Sequence, residues 1–107
     1  MTKAKFLFCK DVIVSFELSG HSGFGEEGTD IVCSAVSSAV YMAANTILEI
    51  MKIEANAEVS DGYFKFQMNL NSAQKAKVIT DGLYLHLGEL QSQYPNNLKL
   101  ERGVFDA

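Results

Sequence analysis

A continuous stretch of 22 residues, positions 30–51, contains neither glycine nor proline and is rich in alanine and serine. Its apolar residues recur close to the helical period of about 3.6 residues. They are Val32, Val36, Ala39, Val40, Ala43, Ile47 and Ile50. Thr29 and Asp30 are both favourable N-cap residues. The pattern predicts one long helix, whose apolar face needs a partner surface built from the rest of the chain.

Shorter segments on both sides of this helix alternate apolar and polar residues, which predicts strands. The segments are residues 4–9, 12–18, 53–59 and 64–68, with residues 98–104 as a last strand. A polar break, Lys10-Asp11, separates the first two segments, and a turn sequence, Ser60-Asp61-Gly62, separates the next two. We therefore expect two hairpins.

Ser72 is a suitable cap for a second helix, which is predicted to end near Tyr94, before Pro95. The order of elements is then ββαββαβ. Hairpins with one apolar face predict an α+β fold, a two-layer sandwich with both helices on one face of an antiparallel or mixed sheet. No repeat, linker or charge block divides residues 1–107, so a single domain is expected.

The charge and the N-terminal sequence argue against two classes of partner. The net charge is −4, and the nine lysine and arginine residues are scattered. Because nucleic-acid binding requires a basic surface, we expect no direct nucleic-acid partner. Residues 1–10 lack an apolar targeting core, and no segment is expected to reach the roughly 18 apolar residues of a membrane span. The expectation is a cytoplasmic protein without a membrane partner.

The cysteine and histidine content is low. Two cysteines, Cys9 and Cys33, are too few for a disulfide scaffold. Together with His21 and His86 they match no zinc-binding spacing, so neither a metal nor another cofactor is expected. A redox-active pair formed by the two thiols stays open as an alternative.

Cys33 is the strongest candidate for a nucleophile. It is expected in the first turn of the long helix, where free N–H groups and the helix dipole favour a thiolate. The amides of Cys33 and Ser34 would also serve as oxyanion donors. Ser37 follows one turn later on the same face, where it would support the thiolate or line a substrate cleft. The alternatives are a small buried cysteine and a serine that merely allows close packing.

A glycine-rich segment precedes this helix and predicts a mobile loop. His21 lies near its start, twelve residues before Cys33. A loop of this length lets the imidazole reach the helix, accept the thiol proton and later protonate a leaving amine. Asp30 would either orient His21 or only cap the helix, and His21 itself could be an ordinary turn residue. The loop glycines are Gly20, Gly23, Gly25 and Gly28.

These residues together resemble a known signature. Gly20-His21-Ser22-Gly23, followed by Gly28-Thr29-Asp30-Ile31-Val32-Cys33-Ser34-Ala35-Val36-Ser37, is similar to the motif of the ribosomal-processing cysteine proteases called Prp. The one visible departure is Ser22, where the family commonly has alanine. Outside this segment the resemblance is in length and in the order of elements.

The resemblance implies a bacterial, cytoplasmic endopeptidase that removes a short N-terminal extension from large-subunit ribosomal protein number twenty-seven. It implies Cys33 and His21 as the catalytic pair, with Asp30 and Ser37 in supporting positions. It further implies a homodimer, a mobile loop between His21 and Cys33, and an apolar groove for an extended peptide. The alternative from another class is a non-catalytic ribosome-associated binding or assembly protein on the same fold.

Overall fold

The first two strands form a hairpin around a tight two-residue loop. β1 (Thr2–Cys9) pairs antiparallel with β2 (Val12–Ser19). Lys10 and Asp11 between them have φ values of 52° and 65°. Two successive residues with positive φ give a turn whose twist matches that of the strands it joins. The structure, a computed structural model, describes residues 1–20 and 27–105, with the backbone alone for residues 27–30.

A second hairpin and a C-terminal strand complete the sheet. β3 (Asn56–Ser60) pairs antiparallel with β4 (Tyr63–Gln67), and β4 pairs antiparallel with β2. β5 (Leu98–Val104) lies parallel to β1. The strand order is therefore β3-β4-β2-β1-β5, a mixed five-stranded sheet. The predicted α+β class with a mixed sheet is confirmed.

The third strand is shorter than predicted. Lys52 has a φ of 58°, a left-handed conformation that turns the chain out of the preceding helix. Ile53 donates its backbone N–H to the carbonyl of Ile47, so it still belongs to the helix terminus. Pairing with β4 starts only at Asn56. The alternating segment 53–59 therefore combines the end of the helix with β3, and only its second part is a strand.

The long helix is observed, and it begins earlier than predicted. α1 covers Glu27–Asn45 and continues as a π-helical turn over Thr46–Ile50. It starts three residues before Asp30, so the prediction of Thr29 or Asp30 as N-cap is wrong. Gly28, expected in the loop, is the second residue of α1. Side-chain spacing locates the middle of a helix better than its first turn, because the first turn carries little of the apolar face.

The second predicted helix is two helices, so the order is ββαββααβ. α2 covers Leu70–Lys75 and α3 covers Lys77–Gln93, with a break at Ala76 where φ is −91° and ψ is 5°. Ser72 is not the cap. The side chain of Asn69 accepts a hydrogen bond from the Ser72 backbone N–H at 2.8 Å, and α2 therefore begins before Ser72.

An aromatic row forms the centre of the core between the helices and the sheet. In β1, Thr2, Ala4, Phe6 and Phe8 are buried and Lys3 and Lys5 are exposed, so the helices cover one face. Phe6 and Phe16 have ring centroids 6.1 Å apart, and Phe16 stacks on Phe66 at 4.9 Å. Tyr84 from α3 meets Phe6 edge to face at 5.0 Å. These contacts attach the helical layer to three adjacent strands.

One segment passes the length and composition test for a membrane span, contrary to expectation. It is Ile31–Ile50, of which 33% is buried. The buried members include Val32, Val36 and Val40, which belong to the hydrophobic core. Core residues account for part of this apolar character, and exposed residues such as Ile31, Met42 and Ile50 add to it.

Candidate active site

A pocket of about 220 Å³ opens between α1 and the edge of the sheet where β2 ends and β3 turns into β4. We call it the Cys33 pocket. α1 contributes Cys33, Ser37 and Tyr41, which follow one another at intervals of one helical turn. The sheet contributes Thr2, Leu18, Ser19, Gly20, Ser60, Gly62, Tyr63 and Phe64. Four separate segments of the chain thus converge on one thiol.

Cys33 lies in the second turn of α1, and its side chain is half-buried. It is the seventh residue of the helix, since α1 starts at Glu27. The prediction of a first-turn cysteine is therefore wrong. Its placement in the pocket wall nevertheless leaves the sulfur within reach of a bound chain, which a fully buried structural cysteine would not allow.

Because α1 begins earlier than predicted, the amides that were expected to bind the oxyanion lie further inside the helix. The free amides of an α-helix belong to its first four residues, and α1 is already helical at Glu27. The amides of Cys33 and Ser34 come later, where the helical ladder pairs each N–H with the carbonyl four residues before it. Ser34 is also exposed and does not line the pocket. The prediction that these two amides bind the oxyanion is therefore not compatible with α1 as it is formed.

Ser37 and Gly20 are the predicted site residues that the structure brings to Cys33. Ser37 is half-buried, one turn along α1, and lines the pocket with Cys33. Asp30 is the fourth residue of α1, and nothing is described of its side chain. His21, Gly23 and Gly25 lie outside the described residues. The pairing of His21 with Cys33 stays a prediction.

Gly20 has a backbone that only glycine adopts easily. Its φ is 71°, and a Cβ built on it would lie 2.8 Å from the carbonyl oxygen of Met1. Its N–H donates to the carbonyl of Gly62 at 3.2 Å. This hydrogen bond fixes the end of β2 to the β3–β4 turn. The residue that makes it, Gly20, immediately precedes His21 in the sequence.

Aromatic residues form the apolar wall of the pocket. Tyr41 meets Phe64 edge to face, with centroids 5.2 Å apart. Leu18 pairs with Phe64 across β2 and β4, so the two side chains share a face. This wall suits an apolar side chain of a bound peptide. Tyr41 could have been found from the sequence, because it continues the spacing of Cys33 and Ser37.

Two residues on the sheet side of the pocket, Thr2 and Tyr63, carry polar groups with unusual surroundings. The side chain of Tyr63 alternates with the buried Phe64 and therefore lies on the outer face of the sheet, away from the helices. The Tyr63 hydroxyl donates to the Glu17 carboxylate at 3.0 Å. Burial raises the pKa of Tyr63, and the hydrogen bond and negative charge of Glu17 raise it further, with a smaller contribution from Glu58. The hydroxyl of Thr2 is buried and has no hydrogen-bond partner among the described residues. No sequence pattern indicates either group, since strand pairing creates both positions.

The two cysteines lie at opposite ends of the sheet. Thr2 lines the Cys33 pocket at the start of β1, and Cys9 ends the same strand seven residues later. Seven residues of strand span about 23 Å. A disulfide requires Cα atoms less than about 7 Å apart. Cys9 and Cys33 are both free and cannot form an intramolecular redox pair in this fold.

Across residues 1–20 and 27–105, no three histidine, cysteine, aspartate or glutamate side chains cluster as ligands. The pocket combines a half-buried thiol, a neighbouring serine hydroxyl and an apolar wall. Such an arrangement suits covalent attack by sulfur on a carbonyl of a peptide held against the wall.

Comparison with known proteins agrees with this chemistry. The model of the family described as cysteine protease Prp matches residues 1–99. The chain is 30% identical over 98 residues to the ribosomal processing cysteine protease Prp of Bacillus subtilis, covering 86% of this chain and 88% of that protein. It is 25% identical to the protein of the same name from Staphylococcus aureus, covering 78% and 80%.

Solved structures share the fold. A Streptococcus mutans protein superposes with a TM-score of 0.87 at 26% identity, over 98% of this chain and 99% of that one. An essential ribosomal processing protease Prp from S. aureus, in complex with a substrate peptide, superposes with a TM-score of 0.86 at 20% identity. That match covers 95% of this chain and 99% of the S. aureus chain.

Proposed function

Since this chain belongs to the cysteine protease Prp family, we propose that it removes the N-terminal extension of ribosomal protein number twenty-seven of the large subunit. The chain is a cysteine protease, and the proposal concerns its substrate and the roles of its residues. Cys33 is the nucleophile and His21 the general base. The observation that carries the proposal is the position of Cys33, half-buried in the wall of a pocket with an aromatic side.

The reaction proceeds through a thioester. His21 takes the proton of the Cys33 thiol, and the sulfur forms a bond to the carbonyl carbon of the scissile peptide. The tetrahedral intermediate collapses, the carbon–nitrogen bond breaks, and His21 returns the proton to the leaving amine. A water molecule then adds to the thioester, releasing the carboxylate product and the free thiol. The aromatic wall holds the substrate during both steps.

The remaining roles belong to the same proposal. Ser37 lines the pocket one turn from Cys33 and supports the bound chain. Asp30, at the start of α1, orients His21. The protein works in the cytoplasm as a homodimer, and its substrate is bound as a polypeptide rather than through nucleic acid, which agrees with the net charge of −4.

The test uses the host's own ribosomal protein number twenty-seven with its extension intact. Wild type and the Cys33→Ala variant are incubated with it, and intact masses are followed over time. We expect loss of one defined N-terminal peptide with wild type only. Cys9→Ala is the matched control, because it removes the other thiol from the far end of β1 and should leave cleavage unchanged.

Two results would contradict the proposal. Cleavage by Cys33→Ala at the wild-type rate would exclude Cys33 as the nucleophile. Stable binding of the ribosomal protein without any mass change, in wild type as in the variant, would identify a binding or assembly protein instead. Circular dichroism of each variant confirms that the fold is retained.

A further inference from the structure

The most deeply buried residues that line the Cys33 pocket are Thr2 and Phe64, so they form its floor. Thr2 is 1% exposed and Phe64 is 5% exposed, whereas the other lining residues are half-buried or exposed. Phe64 offers an aromatic ring. Thr2 carries a methyl group and a hydroxyl, which both donates and accepts hydrogen bonds. A side chain that fills the pocket to its floor therefore meets an apolar ring beside one polar side-chain group.

The Thr2 hydroxyl interrupts a row that is otherwise apolar. The residues that alternate along the covered face of β1 are Thr2, Ala4, Phe6 and Phe8. Within the part of the chain that the structure describes, the hydroxyl of Thr2 is the one fully buried side-chain oxygen or nitrogen without a hydrogen-bond partner. Such a group destabilises the folded state, because it loses its hydrogen bonds to water on folding and gains none. A valine would fill the same space without this loss.

A second buried threonine shows the ordinary arrangement. Thr80 is 0% exposed, and its hydroxyl donates to the carbonyl of Ala76 at 3.3 Å. Thr80 lies inside α3, where a carbonyl of the preceding turn is within reach of such a hydroxyl. The Thr2 hydroxyl has no comparable partner among the described residues. The free protein thus keeps an unused hydrogen-bonding group at the floor of its candidate active site.

The size and charge of the pocket limit what can bind there. Its volume of about 220 Å³ is smaller than the roughly 300 Å³ at which pockets for whole small-molecule ligands begin, so it suits one side chain of a bound polypeptide. None of the described lining residues is acidic or basic. A charged side chain is disfavoured there, because a charge removed from water requires an opposite charge or several hydrogen bonds. The pocket therefore favours an uncharged side chain.

We propose that Thr2 is a specificity-determining residue, whose hydroxyl hydrogen-bonds the polar end of an uncharged substrate side chain, an amide or a hydroxyl. The inference rests on the proposed function. Because Cys33 lines the same pocket, this side chain belongs to a residue close to the scissile bond. Rotation of Thr2 about χ1 by about 120° brings its hydroxyl to the position of its methyl group, so the hydrogen bond forms without backbone movement. The bound substrate supplies the partner that the free protein lacks.

The test combines substitutions in the protein with substitutions in the substrate. The parent substrate is a synthetic peptide that spans the cleavage site of the host's ribosomal protein. In the other peptides, each uncharged polar residue near the scissile bond is replaced, one at a time, by an apolar residue of similar shape. The protein variants are Thr2→Val and Thr2→Ser. Thr80→Val is the matched control, because it removes an equally buried hydroxyl that does not line the pocket.

We expect Thr2→Val to raise KM and to lower kcat/KM for the parent peptide by about tenfold, although this variant is the more stable protein. One of the replaced peptides should show the same loss with wild type. Thr2→Val should cleave that peptide as well as it cleaves the parent. Thr2→Ser keeps the hydroxyl and should retain most of the wild-type kcat/KM. Thr80→Val should lower stability and leave kcat/KM unchanged.

Several results would overturn the inference while leaving the protease proposal intact. They are an unchanged kcat/KM in Thr2→Val, the same loss by Thr2→Val on every peptide, and a loss in Thr2→Ser as large as that in Thr2→Val. A cleavage site flanked only by apolar and charged residues would have the same meaning. No cleavage of the parent peptide by wild type would end both proposals.

Discussion

Tyr41 of α1 meets Phe64 of β4 edge to face, with ring centroids 5.2 Å apart and planes at 67°. Phe64 is 5% exposed, whereas Tyr41 is 43% exposed. One side of the Tyr41 ring therefore packs on the core, and the other side is open to the Cys33 pocket. A single aromatic pair thus joins the helix that carries Cys33 to the sheet and also forms the surface on which a substrate would lie.

Truncation of Tyr41 should affect both roles. Tyr41→Ala is expected to raise KM for the substrate more than it lowers kcat, because the wall binds substrate and transition state alike. It should also lower the free energy of unfolding by about 1 kcal/mol through loss of the aromatic contact. Tyr41→Phe keeps the ring and should retain both properties. Steady-state kinetics measure the effect on KM and kcat, and denaturant melts measure the effect on stability. A lower kcat with unchanged KM in Tyr41→Ala would contradict a role of Tyr41 in binding the substrate.

Removal of the unpaired Thr2 hydroxyl should stabilise the fold. Thr2 is 1% exposed, and its hydroxyl has no partner in the described part of the chain. Thr2→Val keeps the shape and removes the desolvated group, so the free energy of unfolding should rise by about 1 kcal/mol. Thr80→Val is the matched control, because the equally buried Thr80 hydroxyl donates to the Ala76 carbonyl at 3.3 Å. Thr80→Val should therefore be less stable than wild type. Urea melts in which Thr2→Val is the less stable of the two variants would show that the Thr2 hydroxyl is not an unpaired buried group.

Gly20 and Gly82 should respond in opposite directions to alanine. Gly20 has a φ of 71° and no room for a Cβ beside the Met1 carbonyl, so Gly20→Ala should destabilise the protein by more than about 1 kcal/mol. Gly82 lies inside α3, and apart from its chain neighbours and the backbone of its own helix no described atom lies within 4 Å of a Cβ placed there. Gly82→Ala should stabilise by roughly 0.5–1 kcal/mol. Thermal melts of the two variants measure these changes. Equal shifts of the melting temperature would show that backbone conformation does not determine the effect of alanine at these positions.

The strands and the long helix could be predicted from the sequence, because each depends on the spacing of apolar side chains. The alternation of Phe6 and Phe8, and of Phe64 and Phe66, is the alternation that buries one face of the sheet. Local backbone events could not be predicted in the same way. The break at Ala76 and the left-handed Lys52 are single-residue conformations that no spacing encodes. Asn69 and Ser72 are both good caps, and only the structure decides between them.

The residues that α1 contributes to the candidate site can be predicted from the sequence, whereas the residues that the sheet contributes cannot. Cys33 and Ser37 share a helix face by spacing alone, and they line one pocket. Thr2, Leu18 and Phe64 reach that pocket through strand pairing, which joins residues far apart in sequence. The helix start at Glu27 was missed, because a glycine and a threonine in the first turn resemble a loop and a cap.

Tyr63 should make stability depend on pH in the alkaline range. Burial and the neighbouring Glu17 raise its pKa above the ordinary tyrosine value of 10.0. In the unfolded chain Tyr63 loses its proton near pH 10, while in the folded protein it keeps the proton to higher pH. The folded state then binds more protons, so stability falls as pH rises. The contribution of this group is fully present below pH 10 and is lost as the pH passes through the raised folded-state pKa.

Tyr63→Phe isolates this contribution from the lysines, cysteines and other tyrosines that titrate in the same range. At pH 7 the variant should be less stable than wild type, because it lacks the hydrogen bond to Glu17. Above pH 10 the wild type should lose stability more steeply than the variant, so the two curves of unfolding free energy against pH converge. Urea melts between pH 7 and about pH 11 provide both curves. Parallel curves would mean that Tyr63 ionises equally easily in the folded and unfolded chains, and that its contact with Glu17 does not hold the phenol in its neutral form.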